Sequence, residues 1–260
     1  MPVLDHDAYL SQLTAEADRL REVLRDADPG AHVPTCPDWS LAELIGHLGG
    51  VHRWVTQVVT TRAQEPLRRD LVAGDEPPKD AEGLARWLGD GVTPLVAALR
   101  EAGPDTRVWS WAGVPTTAFW SRRMVLETLV HRADAAIALQ RPYDAPAELA
   151  ADAIDEWLEL MASESALRFR PQLAELRGDG ERLHLHATDA PAQLNAEWVV
   201  ERTPQGITWR REHAKGDVAL RAPLTDLFLA FHRRLPLDHE RLEIIGDRAL
   251  LDHWLEHTAF

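Results

Sequence analysis

The stretch that decides the fold spans residues 120–139 and reads W-S-R-R-M-V-L-E-T-L-V-H-R-A-D-A-A-I-A-L. Its apolar residues recur at helical spacing, and Glu127 and His131 fall on the stripe that contains Trp120 and Met124. Residues four apart on a helix have Cβ atoms about 5–6 Å apart, so this acid and this histidine can converge on one metal ion. Because charged groups are costly on a core-facing stripe unless they are paired or coordinated, the stretch predicts a buried polar site on a helix.

Three more amphipathic helices precede this one, and another follows it. Ser40 and Glu43 form the S-x-x-E pattern of a capping box, which predicts that the second helix begins there. The five predicted helices cover residues 5–27, 40–61, 81–102, 117–139 and 145–168. Four long amphipathic helices in the first 140 or so residues predict a four-helix bundle, whose interior commonly holds metal sites.

The pattern changes in the second half of the chain. A segment with several proline and glycine residues, 171–182, is the best candidate for a linker. Beyond it, apolar and polar residues alternate at period two between turn residues, which predicts short strands of a largely antiparallel sheet. A helix from Leu224, a short strand and a last helix to about His257 complete the pattern. The chain is therefore predicted to be α+β overall, with a four-helix bundle domain over residues 1–170 and a smaller α+β domain with an antiparallel sheet over residues 171–260.

The second helix brings another candidate ligand to the same bundle. His47 falls on a stripe with Leu44 and Trp54, and the bundle must bury this stripe as well as the one that carries Glu127 and His131. Two neutral imidazoles and one carboxylate suit Zn²⁺, and three protein ligands leave a coordination position for water or substrate. The simpler alternative is that His47 is an ordinary core histidine and that the other two form a pair on the helix surface.

Three more residues lie close to these ligands in the sequence. Asp134 follows His131 by three residues and could accept a hydrogen bond from that imidazole, or else be an exposed charge near the helix end. Cys36 precedes the second helix, where the pKa of a thiol can be lowered, but no histidine is placed to serve it and we assign it no catalytic role. His52 follows His47 by five residues, which turns it about 140° around the helix, so we expect it to be exposed or to line the edge of a cleft.

Two further histidine patterns occur in the C-terminal half. Residues 253–257 spell H-x-x-E-H, an inverted zinc-protease motif, but such a site needs a third ligand and a substrate cleft, and we predict no protease site. His184 and His186 share one face of a strand, so a two-histidine site is geometrically feasible, but we expect an ordinary exposed sheet face. The chain has no P-loop, G-x-G-x-x-G or G-x-S-x-G motif, so nucleotide-binding and α/β-hydrolase functions lack support.

Composition argues against several classes of partner. The chain carries 42 acidic and 28 basic residues, a formal net charge of −14, and it has no run of five or six basic residues, so no nucleic-acid partner is expected. The N-terminal segment lacks the regions of a signal peptide, and no apolar run approaches the ~18 residues of a membrane span. We therefore expect a cytoplasmic protein that contacts no membrane, and a monomer by default. The single cysteine, Cys36, rules out an intrachain disulfide.

Two segments resemble the sequence signatures of a known family. Residues 33–54, V-P-T-C-P-D-W-S-L-A-E-L-I-G-H-L-G-G-V-H-R-W, resemble the N-terminal signature of the mycothiol-dependent maleylpyruvate isomerase family, and residues 122–134, R-R-M-V-L-E-T-L-V-H-R-A-D, resemble its second signature. The C-terminal half resembles the family more diffusely, in L-H-A-T-D and I-I-G-D among other segments. The resemblance implies a bundle of the DinB-like type in which a divalent metal ion, typically zinc, is bound by His47, Glu127 and His131.

The resemblance also implies an activity. Mycothiol, a low-molecular-weight thiol, would be the cofactor or co-substrate, and its sulfur or a water would occupy the open position on the metal. A metal-bound thiol is deprotonated, so it can add to an electrophilic small-molecule substrate. Addition to a cis double bond permits rotation and elimination to the trans product, as in an isomerase, whereas a retained conjugate makes the enzyme an S-transferase. Independently of the resemblance, an arginine of the C-terminal domain (Arg210, Arg221 or Arg234) could orient a substrate carboxylate; we take Arg221 as the candidate, and an ordinary solvated arginine is the simpler alternative for each.

Two alternatives to a thiol-dependent enzyme rest on the same residues. The first is a non-enzymatic metal- or ligand-binding protein, which would offer no open coordination position or no solvent path to the metal. The second is a zinc-dependent hydrolase, in which a zinc-bound water attacks an amide or ester. A hydrolase needs a general base besides the ligands, and the sequence offers only Asp134 as an obvious candidate.

Overall fold

A computed structural model of the protein describes residues 4–68 and 76–259. The chain divides into two compact units, the first ending at Tyr143 and the second beginning at Asp144. The sequence predicts this boundary after residue 170, so the two placements differ by residues 144–170, the segment predicted as the fifth helix. That helix, the fifth, packs on a later helix and on the sheet, and its contacts therefore group it with the second unit.

The first unit contains the four predicted long helices. They are α1 His6–Val23, α2 Leu41–Thr60, α3 Ala81–Ala102 and α4 Thr117–Ala138. Both α1 and α2 pack against α3 and α4. The leucines that set the predicted periodicity, such as Leu13 on α1 and Leu44 on α2, are fully buried, so the apolar stripes form the core as expected. No helix in the described part of the chain is both long and apolar enough to cross a membrane.

Backbone hydrogen bonds and a helix cap hold both ends of the loop that leads into α2. The backbone N–H of Leu41 donates to the carbonyl of Ala31 at 2.8 Å, close to an isolated β-bridge between His32 and Ser40. Ser40 N donates to Glu43 Oε2 at 2.7 Å and Glu43 N donates to Ser40 Oγ at 3.3 Å, which confirms the predicted capping box. Residues 33–39 are thereby held beside the beginning of α2.

The contact between α2 and α3 depends on glycine at one position. Trp87 of α3 lies over Gly49 of α2, and a Cβ atom built on Gly49 would come within 2.1 Å of the Trp87 ring. Arg53, one turn further along α2, lies over the same ring at 3.9 Å from its centroid and donates to the Trp87 carbonyl at 2.8 Å. Because Arg53 and the backbone hold the indole in place, any side chain at position 49 would displace it.

The helix α4 is buried on most of its circumference, so its polar residues need partners within the protein. Arg132 donates through Nε to Glu16 Oε2 of α1 at 2.7 Å, and neither side chain is more than 5% exposed. The Arg132 guanidinium also lies over the ring of Tyr143, 4.2 Å from its centroid. The periodicity of α1 predicts its buried leucines but gives no sign that Glu16 is buried among them.

The described part of the second unit combines four α-helices with a five-stranded sheet. Its helices are α5 Ala147–Ala162, α6 Glu164–Phe169, α7 Leu224–Phe231 and α8 Arg248–His257. The single helix predicted over residues 145–168 is divided at Ser163, whose backbone is extended. The Ser163 hydroxyl accepts a hydrogen bond from the Ala166 N–H at 3.1 Å, so this residue ends α5 and caps α6.

The sheet is largely antiparallel, as predicted, but one parallel strand pair makes it mixed. Its strands are β1 Arg182–Ala187, β2 Glu197–Thr203, β3 Gly206–Arg211, β4 Val218–Ala222 and β5 Glu243–Gly246, in the order β3-β2-β1-β4-β5. Three pairs are antiparallel, but β1 and β4 are parallel. β3 ends beside the beginning of β2, whereas β4 begins beside Leu183 at the beginning of β1. Residues 212–217 therefore return along the length of β1, and this crossover makes the pair parallel.

The two faces of the sheet carry different side chains. Leu185 and Trp198 are buried on one face, where the Trp198 indole N–H donates to Asp155 Oδ1 of α5 at 2.7 Å. The strand alternation turns the neighbouring residues, including His184 on β1 and Glu197 on β2, to the opposite face. One face is thus the core of the unit, and the other carries titratable groups.

Candidate metal centre

The packing of α2 against α4 brings together the three residues predicted as metal ligands. His47 Nε2 lies 3.5 Å from Glu127 Oε1, and His131 Nε2 lies 3.3 Å from the same oxygen. One ligand atom from each residue lies within 4.8 Å of the other two. The two imidazole rings meet edge to face, with centroids 5.3 Å apart. The three side chains therefore form one cluster, with their donor atoms close enough together to bind one ion.

The carboxylate of Glu127 is shared between two kinds of partner. Oε1 faces both histidines, whereas Oε2 accepts a hydrogen bond from the guanidinium of Arg123, one turn earlier on α4. Burial acts to raise the pKa of Glu127, but Arg123 and the hydrogen bonds from His131 and His47 outweigh it and hold the pKa well below its usual range. Glu127 is therefore ionised at neutral pH, with one oxygen directed at the cluster.

The other nitrogen of His131 is held by Asp134. His131 Nδ1 lies 2.9 Å from Asp134 Oδ2, and the Thr35 hydroxyl donates to Asp134 Oδ1 at 2.6 Å. Burial opposes protonation of His131, but the hydrogen bonds to Asp134 and Glu127 raise its pKa to about 9. Asp134 is completely buried, so it lies at the position expected of a hydrogen-bond acceptor behind the imidazole and is not an exposed charge at the helix end.

An indole from the loop before α2 forms one wall of the cluster. The ring of Trp39 lies 4.9 Å from that of His47 and 6.4 Å from that of His131, between ring centroids. The His47 side chain is 28% exposed and that of His131 is 10% exposed, so solvent reaches the cluster from the His47 side. His47 is therefore the most exposed of the three side chains.

These residues fit a divalent cation. Glu127 is ionised, and the raised pKa of His131 shows that the surrounding carboxylates favour positive charge between them. If Nδ1–H is donated to Asp134, a metal ion that displaces the proton of Nε2 would meet the Nε2 lone pair beside Glu127, and this is the tautomer that a metal ligand needs. Two imidazole nitrogens and one carboxylate oxygen match the ligand types of catalytic zinc sites with an open fourth position.

Three contacts of this site were not foreseen from the sequence. Arg123 precedes Glu127 by four residues, and the spacing rule for helical ion pairs could have identified it. Thr35 and Trp39 lie in an irregular loop where no periodicity applies, and their contacts depend on how the loop is fastened before α2. These three side chains position the predicted ligands.

His52 is not exposed, which corrects the sequence prediction. It is completely buried, and its Nε2 lies 3.0 Å from the Thr128 hydroxyl of α4. Burial lowers the pKa of His52 to about 3, although Glu127 acts in the opposite direction. The prediction failed because α2 is packed against both α3 and α4, so a residue 140° away from His47 still faces a neighbouring helix.

The remaining candidates lie outside this cluster. Cys36 Sγ lies 4.0 Å from Asp134 Oδ2 and is not a member of it. In the second unit, Arg221 on β4 pairs with Glu243 of β5 at 2.6 Å, and Arg234 donates to the carbonyl of His232 at 2.8 Å. The third arginine considered, Arg210, pairs with a nearby glutamate.

The two other histidine patterns have different outcomes. The H-x-x-E-H motif lies on α8, where His253 Nε2 is 2.9 Å from the carbonyl oxygen of Glu175. Among the described residues, the motif is not part of any group of three potential metal ligands. The expectation of an ordinary exposed face at His184 and His186 is wrong, because His184 is buried and both rings contact Glu197.

The structure thus combines a helical bundle that carries a His-Glu-His cluster with an α+β unit built on a mixed sheet. The fold and the site together define a class of proteins with two units, of which the helical bundle contains the candidate metal centre. A family model described as the mycothiol maleylpyruvate isomerase N-terminal domain matches residues 10–136, and the model for the C-terminal domain of that family matches residues 148–253. The chain therefore belongs to the mycothiol maleylpyruvate isomerase family.

Two solved structures share this fold. A crystal structure of mycothiol-dependent maleylpyruvate isomerase has a TM-score of 0.60 at 12% sequence identity, covering 94% of this chain and 95% of that chain. A histidine-to-alanine mutant of such an enzyme has a TM-score of 0.58 at 13% identity, covering 90% and 92%. At these identities the likeness shows the fold. A search of curated proteins gives no match.

Proposed function

We propose that the protein is a metal-dependent enzyme that uses a low-molecular-weight thiol, mycothiol, as cofactor or co-substrate for cis–trans isomerisation or S-transfer. The observation that carries the proposal is the cluster of His47, Glu127 and His131, whose donor atoms lie within 4.8 Å of one another and whose most exposed member is His47. Membership of the mycothiol maleylpyruvate isomerase family supports both the thiol and the class of reaction.

Each residue of the cluster has a distinct part in the proposal. Nε2 of His47, Nε2 of His131 and Oε1 of Glu127 would hold a divalent metal ion, for which zinc is the best match to the donor set. When bound, such an ion keeps a coordinated thiol in its thiolate form at neutral pH. Arg123 fixes the Glu127 carboxylate through its other oxygen, and Asp134 fixes the tautomer of His131.

The substrate would be a small electrophile with a carboxylate, as the family suggests. Arg221 remains our candidate for binding that carboxylate, because a guanidinium binds carboxylates in bidentate geometry. Its present partner, Glu243, lies on the neighbouring strand, and the Glu243 side chain is 58% exposed. A substrate carboxylate that replaced Glu243 as the partner of Arg221 would therefore have to displace only the exposed Glu243 side chain.

The contacts of the cluster favour this proposal over the two alternatives. A hydrolase would use Asp134 as its general base, but this carboxylate is completely buried and already accepts hydrogen bonds from Thr35 and His131. A protein that only sequesters a metal would enclose the ion, whereas the His47 side chain is 28% exposed.

The test combines metal content with thiol-dependent turnover. We expect the variant His47→Ala to lose one equivalent of tightly bound zinc per chain and its mycothiol-dependent activity, assayed on maleylpyruvate and on a chromogenic electrophile. The exposed His32 supplies the matched control, and His32→Ala should retain both. Full metal content in His47→Ala would refute the ligand assignment. Metal binding by wild type without any thiol-dependent turnover would instead favour a non-enzymatic protein.

A further inference from the structure

A second cluster of potential ligands lies on the polar face of the sheet in the second unit. His184 and His186 of β1, Glu197 of β2 and His213 after β3 each place one donor atom within 4.8 Å of the other three. The cluster shares no residue with the site in the bundle. All three imidazoles approach the same atom, Glu197 Oε2, at 3.0, 2.7 and 2.6 Å respectively.

The sheet register explains how the four residues meet. His184 and His186 are two apart on β1 and therefore share a face, and Glu197 of β2 stands directly opposite His186. His213 lies in the crossover of residues 212–217, which begins at the end of β3 and returns along β1 to the beginning of β4. Two strands and the crossover thus contribute one cluster, and the crossover contributes through His213 alone.

Hydrogen bonds to Glu197 do not by themselves explain why three imidazoles lie around one carboxylate oxygen. A carboxylate oxygen has about two lone-pair sites, yet three imidazole nitrogens crowd one oxygen of Glu197 within 3.0 Å. The ring centroids are only 5.6–6.0 Å apart, so three protonated rings would repel one another.

We propose that His184, His186, Glu197 and His213 form a second metal site, which binds a divalent transition-metal ion of the zinc type. Three imidazole nitrogens and one carboxylate oxygen complete a tetrahedral shell, in which Zn–N bonds of about 2.0–2.1 Å place the donors about 3.3 Å apart. The four donor atoms lie within 4.8 Å of one another, with the three nitrogens around Glu197 Oε2, so movement of the side chains away from that oxygen would admit the ion between them.

This site differs from the one in the bundle in the number of its ligands. Four protein ligands leave no position for a thiol or substrate, and closed sites of this kind stabilise structure. The ion would fasten the crossover to β1 and β2 through His213, whose side chain is otherwise 76% exposed. The proposal is therefore a structural metal ion in the second unit, and it stands whether or not the protein is a thiol-dependent enzyme.

The experiment uses the full chain without a histidine tag, in a His47→Ala/Glu127→Gln background that removes the bundle site. The protein is stripped with a chelator and titrated with Zn²⁺ against a chromophoric competitor. We expect about one equivalent of bound zinc in this background and at least a tenfold loss of affinity on adding His186→Ala/His213→Ala. A matched pair on α8, His253→Ala/His257→Ala, should leave zinc binding unchanged.

Two further readouts separate loss of ligands from loss of folding. Glu197→Gln preserves the size of the side chain but removes the anionic ligand, and it should also weaken zinc binding at least tenfold. Circular dichroism checks that each variant is folded, and Co²⁺ substituted for Zn²⁺ should give the visible bands of a tetrahedral site in the background protein only. The proposal is wrong if the background binds no zinc, or if the α8 pair lowers affinity as much as the His186 and His213 pair.

Discussion

Arg123 and Glu127 lie one turn apart on α4, and their ion pair occupies only one oxygen of the carboxylate. Oε2 is held by the guanidinium, which leaves Oε1 to face the imidazoles of His47 and His131. The pair is mostly buried, with side-chain exposures of 18% and 15%. Arg123 therefore fixes the direction in which Glu127 presents its free oxygen, and this relationship leads to the first prediction.

Replacing Arg123 should weaken metal binding without destroying the site. In Arg123→Gln the carboxylate can rotate, and loss of such a supporting contact typically costs about 10–100-fold in metal affinity. A competition titration with a chromophoric chelator measures the change at the bundle site. Arg86 and Glu82 form an exposed pair of the same i,i+4 type on α3, so Arg86→Gln is the matched control and should bind metal as wild type does. Equal affinities for the two variants would contradict a positioning role for Arg123.

Asp134 should support the metal site through His131. The variant Asp134→Asn keeps the shape of the side chain but removes the anion behind the imidazole, and we again expect an affinity loss of about 10–100-fold. Thr35→Val removes the hydroxyl that holds the other oxygen of Asp134, so it should produce a smaller loss in the same direction. If Asp134→Asn folds and binds metal normally, the carboxylate serves only the packing of the bundle.

Stability should depend on pH through His52. The folded state keeps this buried imidazole neutral with a pKa of about 3, whereas its ordinary pKa is 6.5. As the pH falls below about 6.5, the unfolded chain binds a proton that the folded state does not, so the free energy of unfolding decreases. This one group should lower that free energy by about 2 kcal/mol between pH 7 and pH 5. Urea denaturation of the metal-free protein at both pH values measures it.

The variant His52→Gln isolates this contribution. Gln can still form a hydrogen bond with Thr128 but does not titrate, so the difference between pH 7 and pH 5 should shrink by about 2 kcal/mol. His32→Gln, at an exposed position, controls for general effects of the substitution. The same pH dependence in wild type and His52→Gln would show that His52 is protonated in the folded state.

Adjacent glycines on α2 should respond in opposite directions to alanine. Gly49→Ala forces a methyl group into the Trp87 ring, so we expect the free energy of unfolding to fall by about 1–3 kcal/mol. A Cβ atom on Gly50 meets nothing within 4 Å, so Gly50→Ala should raise that free energy by about 0.5–1 kcal/mol through helix propensity. Thermal or urea denaturation compares them, and effects of equal sign would contradict the close contact of α2 and α3.

Local patterns predicted much of the fold. The four bundle helices follow from apolar periodicity, and the beginning of α2 follows from the Ser40–Glu43 pattern, because each depends on residues within a few turns. The mixed sheet could not be predicted in the same way. Alternation shows which residues of a strand share a face, but it does not show that β1 and β4 are neighbours, which the crossover decides.

The same distinction between local and long-range contacts decides which residues of the candidate sites could be predicted from the sequence. Glu127 and His131 are neighbours because they share a helix, and His47 joins them because its stripe must be buried too. His213 lies in a crossover without periodicity, so its meeting with Glu197 depends on long-range register that the sequence does not display. Buried polar groups were missed for a related reason, since helical patterns assign polar residues to the surface unless a partner on another helix is known.

The separation of His47 and Glu127 along the chain has a consequence for folding. About 80 residues lie between these two side chains, which the fold brings within 3.5 Å. An ion shared by them would act as a reversible cross-link that closes a long loop, and the entropy it removes from the unfolded chain grows with the logarithm of loop length. A chain with a single cysteine cannot form such a link by oxidation. The supply of metal would then influence how long the protein persists in its folded form, besides its capacity for chemistry.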